Sequence, residues 1–168
     1  MTYATATDLM TRFGADIVQR VDRGIPRLVT FELMTVAAAG GDLTGYTADE
    51  QARVAAGLVV VQRALQDADD TINSYINSKY KLPLSAVPAV LQRVACELAR
   101  FYLYDDQVTD PVKERQAANV KWLEGVSTGK NSLGAEVDSG VQPESSSGAE
   151  LVTGGSNWKR SDRPGSFI

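Results

Sequence analysis

The sequence contains no histidine and a single cysteine, Cys96, among its 168 residues. Without histidine, the chain has no Ser-His or Cys-His nucleophile pair and no metal site with a histidine ligand. With one cysteine, it forms neither an intrachain disulfide nor a cysteine cluster. Cys96 stands in an apolar run that reads as a helix, so we expect a small residue that is buried or faces a partner.

Long hydrophobic runs are also missing. No stretch approaches the roughly 18 apolar residues that a membrane-spanning helix needs. Residues 1–5 lack the basic region and the apolar run of a signal peptide. These absences predict a soluble protein with no membrane partner, made in a reducing cytoplasm.

Positive charge and aromatic side chains are scarce. The formal net charge is -4, and aromatic residues make up 7% of the chain. A domain that mainly binds DNA phosphates usually carries a basic patch, so this balance argues against that role. The core must consist mostly of aliphatic side chains and alanine.

The composition changes near residue 125. Residues 126–168 hold seven glycines and nine serines, with few large apolar residues before Trp158. Such a segment buries too little apolar area to order itself unaided. We therefore divide the chain into a helical body, 1–125, and an extended Gly/Ser-rich C-terminal arm, 126–168. The arm ends in aromatic and cationic residues that suit docking on a partner: Trp158, Lys159, Arg160, Arg163 and Phe167.

The beginning of the body predicts two short helical pieces over residues 5–23. Thr5 or Thr7 is expected to cap the first piece, and Gly14 to interrupt it. Residues 25–49 read as a variable insertion of uncertain structure, because residues 28–33 suit either a strand or a helix start.

A long helix is predicted from Thr47 to about residue 78. Thr47 and Glu50 fit a capping box. Val59 and Val60 widen the apolar face, which therefore meets more than one neighbour. Apolar residues recur at alternating steps of four and three, as in helices packed at a shallow angle: Val54, Leu58, Val61, Leu65, Ala68, Ile72 and Tyr75.

A corner that contains two prolines follows the long helix. Pro83 ends one helix, and Pro88 suits the first turn of the next, roughly 88–104. A third long helix begins with Asp110 as cap and Pro111 at the first position, and runs to about residue 125. The second helix is expected to bury Leu91, Val94, Ala95, Leu98, Phe101 and Tyr102, and the third Val112, Val120, and Trp122 or Leu123.

Clustered carboxylates are the strongest hint of chemistry, and we interpret them as surface. In the cluster Asp67, Asp69 and Asp70, the first and last share a helix face at the polar flank of the amphipathic stripe, so solvated helix surface is the expected environment. Asp105 and Asp106 end a helix, where a nearby cation such as Arg100 or Arg115 would stabilise them. Neither group indicates a metal site, a cofactor or an enzyme.

The ordered set of short motifs along the chain resembles the Mu-like phage and prophage head-completion proteins. The resemblance covers most of the chain except 25–49 and 135–155. It is carried by Tyr3-Ala4-Thr5, Asp8-Leu9, Arg12-Phe13-Gly14, Ile72-Asn73-Ser74-Tyr75-Ile76, Tyr80-Lys81-Leu82-Pro83-Leu84, Val87-Pro88, Leu91, Ala95-Cys96, Ala99-Arg100-Phe101, Leu103-Tyr104, Trp122-Leu123, Gly129, Leu133-Gly134 and Trp158 through Phe167.

The resemblance implies an all-α structural protein of the virion neck, made in the host bacterium. Such subunits form a homo-oligomeric ring, often a dodecamer, beneath the portal protein. The ring extends the DNA channel without sequence-specific DNA binding and offers a platform to a tail-side neck or tail terminator protein. Ring closure needs lateral contacts between copies, for which the candidates are Val59, Val60, Lys79, Tyr80, Arg93 and Arg100.

Two other functions stay open from the sequence. A DNA-binding packaging factor would have a similar size and helical content, and a salt-dependent DNA affinity would identify it. Lys79, Lys81, Arg93 and Arg100 supply a modest basic surface for such a role. A small enzyme using the aspartate clusters is the third alternative, which the lack of histidine disfavours.

Overall fold

The computed structural model describes residues 2–104 and 107–134 of the chain. These residues form five α-helices and, within those ranges, no strand, which confirms the all-α class. The helices are α1 (Ala6–Val21), α2 (Phe31–Ala38), α3 (Ala48–Ile76), α4 (Ala89–Tyr104) and α5 (Asp110–Ser127). The 29-residue helix α3 contacts each of the other four helices and is the centre of the bundle.

Helix α1 is a single element with a kink. Thr5 caps it in a capping box with Asp8, which confirms one of the two expected caps. The expected interruption is also present, and the non-helical residue is Phe13 rather than Gly14. A Cβ atom at Gly14 would overlap the ring of Phe31, so a larger residue there would have to displace that exposed ring.

The segment 25–49 is part of the core. Thr30 caps α2 by accepting a hydrogen bond from the backbone N–H of Leu33, so the helix interpretation of this stretch is correct and the strand interpretation is wrong. Val29, Leu33 and Met34 are buried. Helix α2 packs against α1 and α3, so this segment closes one side of the bundle.

Helix α3 follows its sequence pattern closely. The capping box of Thr47 and Glu50 is present. Five of the seven predicted stripe residues are buried, while Leu58 and Tyr75 are partly exposed and pack against the core. Gly57 and Ala64, which are also buried, allow close approach of neighbouring helices.

The corner spans residues 77–88, and two helix starts differ from the expected ones. Helix α4 begins one residue after Pro88, whose carbonyl accepts hydrogen bonds from Leu91 and Gln92. Helix α5 has Thr109 as its cap without a side-chain bond, so Asp110 and Pro111 are its first two residues. Phe101, Tyr102, Val120 and Trp122 are only partly buried, whereas the other predicted core residues of α4 and α5 are buried.

The packed body continues past residue 125, where the sequence analysis ended it. Helix α5 runs to Ser127, and Leu133 is buried against the bundle. The backbone N–H of Leu133 donates to the Tyr80 hydroxyl over 3.2 Å. The corner therefore holds the chain as it leaves the last helix.

Candidate docking surfaces

The corner residues predicted to face a neighbouring copy occupy different environments. Tyr80 is buried, and its hydroxyl accepts the bond from Leu133 within the same chain. Lys79 is partly exposed beside Gly129, and Arg93 is exposed on α4. Only Lys79 and Arg93 of these three offer side-chain surface to a partner, while Tyr80 stabilises the body.

Arg100 belongs to a polar cluster that joins α1 to α4. Its Nε donates to a carboxylate oxygen of Asp16 over 2.7 Å, and the Tyr104 hydroxyl donates to the same carboxylate over 2.8 Å. The Arg100 guanidinium lies 4.6 Å from the centre of the Phe13 ring, at the kink of α1. A charge-assisted bond with an aromatic contact of this kind stabilises the packing of two helices.

The cations considered as partners of Asp105 and Asp106 have partners elsewhere. Arg100 pairs with Asp16, and Arg115 lies 3.5 Å from a carboxylate oxygen of Glu97. Asp105 and Asp106 themselves lie outside the described residues.

The outer face of α3 exposes apolar side chains. Val59 is 56% exposed and Val60 is 47% exposed, although both sit in the middle of the longest helix. Contiguous exposed apolar patches mark protein contact surfaces, and Val60 also lines the groove described below. We call Val59 and Val60 the valine pair.

A groove of about 460 Å³ runs beside Val60, between α1, α3 and the end of α4. Arg20, Arg23 and Arg63 line it, with one carboxylate from Asp67. We call it the arginine groove. The buried Nε of Arg20 makes no hydrogen bond and lies 3.6 Å from a carboxylate oxygen of Asp16, while the guanidinium lies 4.0 Å from the centre of the Tyr104 ring.

The loop between α1 and α2 is organised by one buried carboxylate. Asp22 is 1% exposed and accepts backbone N–H bonds from Gly24, Leu28 and Val29 over 3.0, 2.7 and 2.8 Å. Arg53 of α3 adds a contact of 3.2 Å to the same carboxylate. We call residues 22–30 the Asp22 loop.

The electrostatics of Asp22 follow from these contacts. Burial by itself would raise the pKa of this carboxyl group. The backbone N–H bonds from Val29, Gly24 and Leu28 and the charge of Arg53 outweigh burial, so the pKa of Asp22 is lowered from 3.8. Asp22 is therefore an ionised, fully bonded carboxylate at neutral pH.

The tip of the Asp22 loop points into solvent. Ile25 is 99% exposed, more than any other large apolar side chain in the part of the chain that the structure describes. Arg23 and Arg27 flank it and are exposed as well. A second groove, of about 590 Å³, lies between the loop and α3, with Ala52 and Ala56 among its lining residues.

A second buried carboxylate holds the first residues of the chain. Asp69 is 2% exposed and accepts the backbone N–H of Tyr3 over 3.1 Å, while the Tyr3 hydroxyl donates to Asn73. The expectation that Asp69 is solvated surface is wrong, whereas Asp67 and Asp70 are exposed as expected. Burial, with the nearby charge of Asp70, raises the pKa of Asp69 despite the bond from Tyr3.

The described residues contain little that suggests chemistry. Cys96 is buried in the core, and burial raises the pKa of its thiol to about 11, so the thiolate is not available near neutral pH. Within residues 2–104 and 107–134, no group of three Cys, Asp or Glu side chains is close enough to hold a metal ion. No helix in the same ranges is long and apolar enough to cross a membrane.

The predicted docking residues of the arm, Trp158, Lys159, Arg160, Arg163 and Phe167, lie outside the described residues. Conversely, Asp22 and Ile25 belong to none of the motifs that the sequence indicated. The signal that would have pointed to Asp22 is an aspartate two residues before Gly24 with Pro26 close by, a pattern typical of side-chain-bonded turns.

Comparison with known proteins identifies the family of the chain. The family described as "Bacteriophage Mu, Gp36" matches residues 3–151. The "Mu-like prophage FluMu protein gp36" of Haemophilus influenzae is 41% identical over 105 residues, which are 62% of this chain and 74% of that protein. "Gene product J" of Escherichia phage Mu is 38% identical over 93 residues, which are 55% of this chain and 64% of that protein.

The helical fold and these matches define the class as a small, all-helical protein of Mu-like phages. Within that class, the chain belongs to the Bacteriophage Mu, Gp36 family. The resemblance to Mu-like phage proteins drawn from the sequence motifs is thereby confirmed.

Proposed function

We propose that this protein is a structural, non-enzymatic component of the phage virion, and specifically a subunit of the head–tail connector ring in the neck. In this role it binds beneath the portal protein, extends the DNA channel, and carries the tail-side neck or tail terminator protein. Genomic DNA passes through the channel without sequence-specific binding. Membership of a Mu-like phage family supports a virion role, and the surfaces of the body support an assembly role.

The observation that carries the proposal is the exposed valine pair. A monomer that buries Val54, Val61 and Leu65 on one face of α3 has no folding reason to present Val59 and Val60 on another face. Contact with a second copy would remove this apolar surface from water and stabilise the assembly. A ring of about twelve copies requires such a contact to be heterologous, so that the valine pair meets a different surface of the next subunit.

Several candidate interface residues then take separate roles. Arg93 is exposed and Lys79 is partly exposed, so both side chains can reach a neighbouring copy. Tyr80 and Arg100 act within the subunit, since both are engaged with other residues of the same chain. The arm residues from Trp158 to Phe167 would dock on the portal or on an adjacent subunit.

The test is to replace the valine pair and image the particles. Because both side chains are exposed, Val59→Asp with Val60→Asp should change the free energy of unfolding by less than about 1 kcal/mol. The same double variant should fail to support tailed particles in a phage that lacks the wild-type gene product. Electron microscopy of particles made with the wild-type chain should show a ring of this protein between portal and tail.

The matched control uses other exposed residues of the same helix, Ala55→Asp with Gln62→Asp, which should support normal particles. Tailed particles at the wild-type level from the valine double variant would contradict the proposed lateral contact. Density for this protein elsewhere in the particle would contradict the neck position.

The arginine groove favours a second function, that of a DNA-binding packaging factor. Three arginines face one aspartate in that groove, and arginines that contact phosphates give an affinity that falls steeply with salt. The net charge of -4 disfavours this function. A salt-dependent DNA affinity that Arg63→Glu abolishes would establish the packaging factor in place of the connector.

A further inference from the structure

We infer that the Asp22 loop is a preformed docking element whose tip, Ile25, enters an apolar pocket edged by carboxylates on a protein other than this chain. The inference goes beyond the proposed ring, because it concerns a second surface and a different partner. It is carried by the exposure of Ile25, by the bonding of Asp22, and by the charges beside the tip.

The exposure of Ile25 is the first observation. At 99% exposure the side chain contributes no packing to the fold, whereas the neighbouring Val29 is buried in the core. An isoleucine held entirely in water gains from transfer to an apolar pocket. Its location at the tip of a projecting loop gives a partner access from several sides.

The bonding of Asp22 is the second observation. Three backbone N–H groups and Arg53 converge on this one carboxylate from residues 24 to 29 and from α3. The loop is therefore fixed to the body on both sides of Ile25. A preorganised loop loses little conformational entropy on binding, which is the general advantage of a rigid docking element.

The charges beside the tip specify the partner. Arg27 is exposed two residues after Ile25, and no carboxylate occurs between residues 23 and 31 of the sequence. Arg23, on the other side of Ile25, lines the arginine groove and is engaged in an interaction of its own. The carboxylate of Asp22 is turned inward and bonded within the loop. The loop thus presents an apolar tip beside a positively charged side chain, although the net charge of the whole chain is negative. Electrostatic complementarity therefore requires carboxylates around the pocket of the partner.

The grooves of this chain do not meet that description. The arginine groove carries Arg20, Arg23 and Arg63 against Asp67 alone, so it would repel the cations of a second copy's loop. The alanine-lined groove has one carboxylate, Asp49, but Arg53 lines it as well, and it contains Pro26 itself and lies beside the tip. A second copy could use it only in a reciprocal two-fold pairing, which closes as a dimer and is not the head-to-tail contact of the proposed ring.

The test is a site-specific photo-crosslink from position 25 in assembled particles. The full-length chain would carry benzoylphenylalanine in place of Ile25, and the crosslinked peptide would be identified by mass spectrometry. The expected product joins this chain to a different virion protein, through a peptide that contains Asp or Glu. The same photo-reactive residue in place of Ala118, which is exposed on α5, should not yield that product.

Charge variants check that the product reflects specific docking. With the photo-reactive residue at 25, Arg27→Glu should lower the yield at least tenfold, while Arg27→Lys should keep it within twofold. Both substitutions change an exposed side chain, so the thermal midpoint should not move. A crosslink to a second copy of this chain, or a yield at position 25 no higher than at position 118, would overturn the inference.

This outcome is separable from that of the proposed ring. The crosslink reports the partner of residue 25 wherever the protein sits in the particle, whereas the valine double variant reports the lateral contact between copies. Loss of tailed particles with the valine variant, together with a self-crosslink at 25, would retain the ring and reject the docking loop.

Discussion

Two buried aspartates, Asp22 and Asp69, show how differently the same side chain serves this fold. Both are almost completely inaccessible to solvent. Asp22 receives three backbone N–H bonds and a contact from Arg53. Asp69 receives one described bond, from the backbone of Tyr3, and has the like charge of Asp70 nearby.

The difference appears in the direction of the two pKa shifts. Bonding outweighs burial at Asp22 and lowers its pKa, whereas burial prevails at Asp69 and raises its pKa. A buried carboxylate with enough donors stabilises the folded chain in its ionised form, and one with few donors favours its protonated form. Asp22 is thus an organising residue for its loop, while Asp69 is a tether for the first residues that tolerates neutralisation.

The largest effect is expected from Asp22→Ala. The substitution leaves the N–H groups of Gly24, Leu28 and Val29 without their acceptor and removes the partner of Arg53. The free energy of unfolding should fall by about 3 kcal/mol, because bonds to a charged group are strong and their loss leaves buried donors unsatisfied. Urea denaturation measures this change.

The control for Asp22→Ala is Asp42→Ala. Asp42 also accepts a backbone N–H bond two residues on, from Thr44, but it is exposed. Its removal should leave the urea midpoint nearly unchanged. Equal losses for the two variants would show that burial of Asp22 contributes nothing beyond a local turn.

A smaller effect is expected from Arg53→Met, which keeps the aliphatic stem and removes the charge. The Arg53 side chain is 39% exposed, so solvent screens its interaction with Asp22. The free energy of unfolding should fall by about 1 kcal/mol, well below the effect of Asp22→Ala. A loss as large as that of Asp22→Ala would mean that the ion pair, rather than the backbone bonds, organises the loop.

Arg63→Met is the matched control on the same helix. Arg63 is exposed and has no ion pair among the described residues, so its replacement should not change the urea midpoint.

The helices could be predicted from the sequence because their signals are local. Thr47 and Glu50 are three residues apart, and the apolar stripe of α3 repeats within each turn. The same holds for the kink of α1, where a glycine marks the break to within one residue. Such signals depend on neighbours along the chain and need no knowledge of tertiary packing.

The features of the candidate surfaces depend on distant residues, and the sequence does not show them. Arg53 reaches Asp22 across 31 positions, and Tyr3 reaches Asp69 across 66. The helical period of α3 does indicate the burial of Asp69. Leu65, Asp69, Ile72 and Ile76 follow one another at steps of four, three and four, and the three apolar residues of this series are buried on one side of the helix. Nothing local distinguishes Ile25, because its exposure results from how the loop is attached at Asp22.

The last prediction concerns Asp69→Asn and is the sharpest test of the comparison between the two aspartates. A raised pKa in the folded state means that the folded protein holds this proton more tightly than the unfolded chain does. The stability contributed by Asp69 is then complete below pH 3.8 and is lost as the pH rises through its raised folded-state pKa. Asp22 has the opposite sign, because its pKa is lowered, and its contribution is lost as the pH falls below 3.8.

The asparagine of this variant stays neutral, and its side-chain oxygen still accepts the N–H of Tyr3. Asp69→Asn should therefore change the free energy of unfolding by less than about 1 kcal/mol at neutral pH. Its pH profile should lack the loss of stability above pH 3.8 that the wild-type chain shows, while the loss below pH 3.8 remains. Denaturation of the wild type and of Asp69→Asn from about pH 3 to pH 7 gives the difference between their free energies of unfolding. The contributions of the other carboxylates are the same in both proteins and cancel in this difference. Parallel profiles would mean that Asp69 ionises in the folded protein as readily as in the unfolded chain, which would contradict the raised pKa of this carboxyl group.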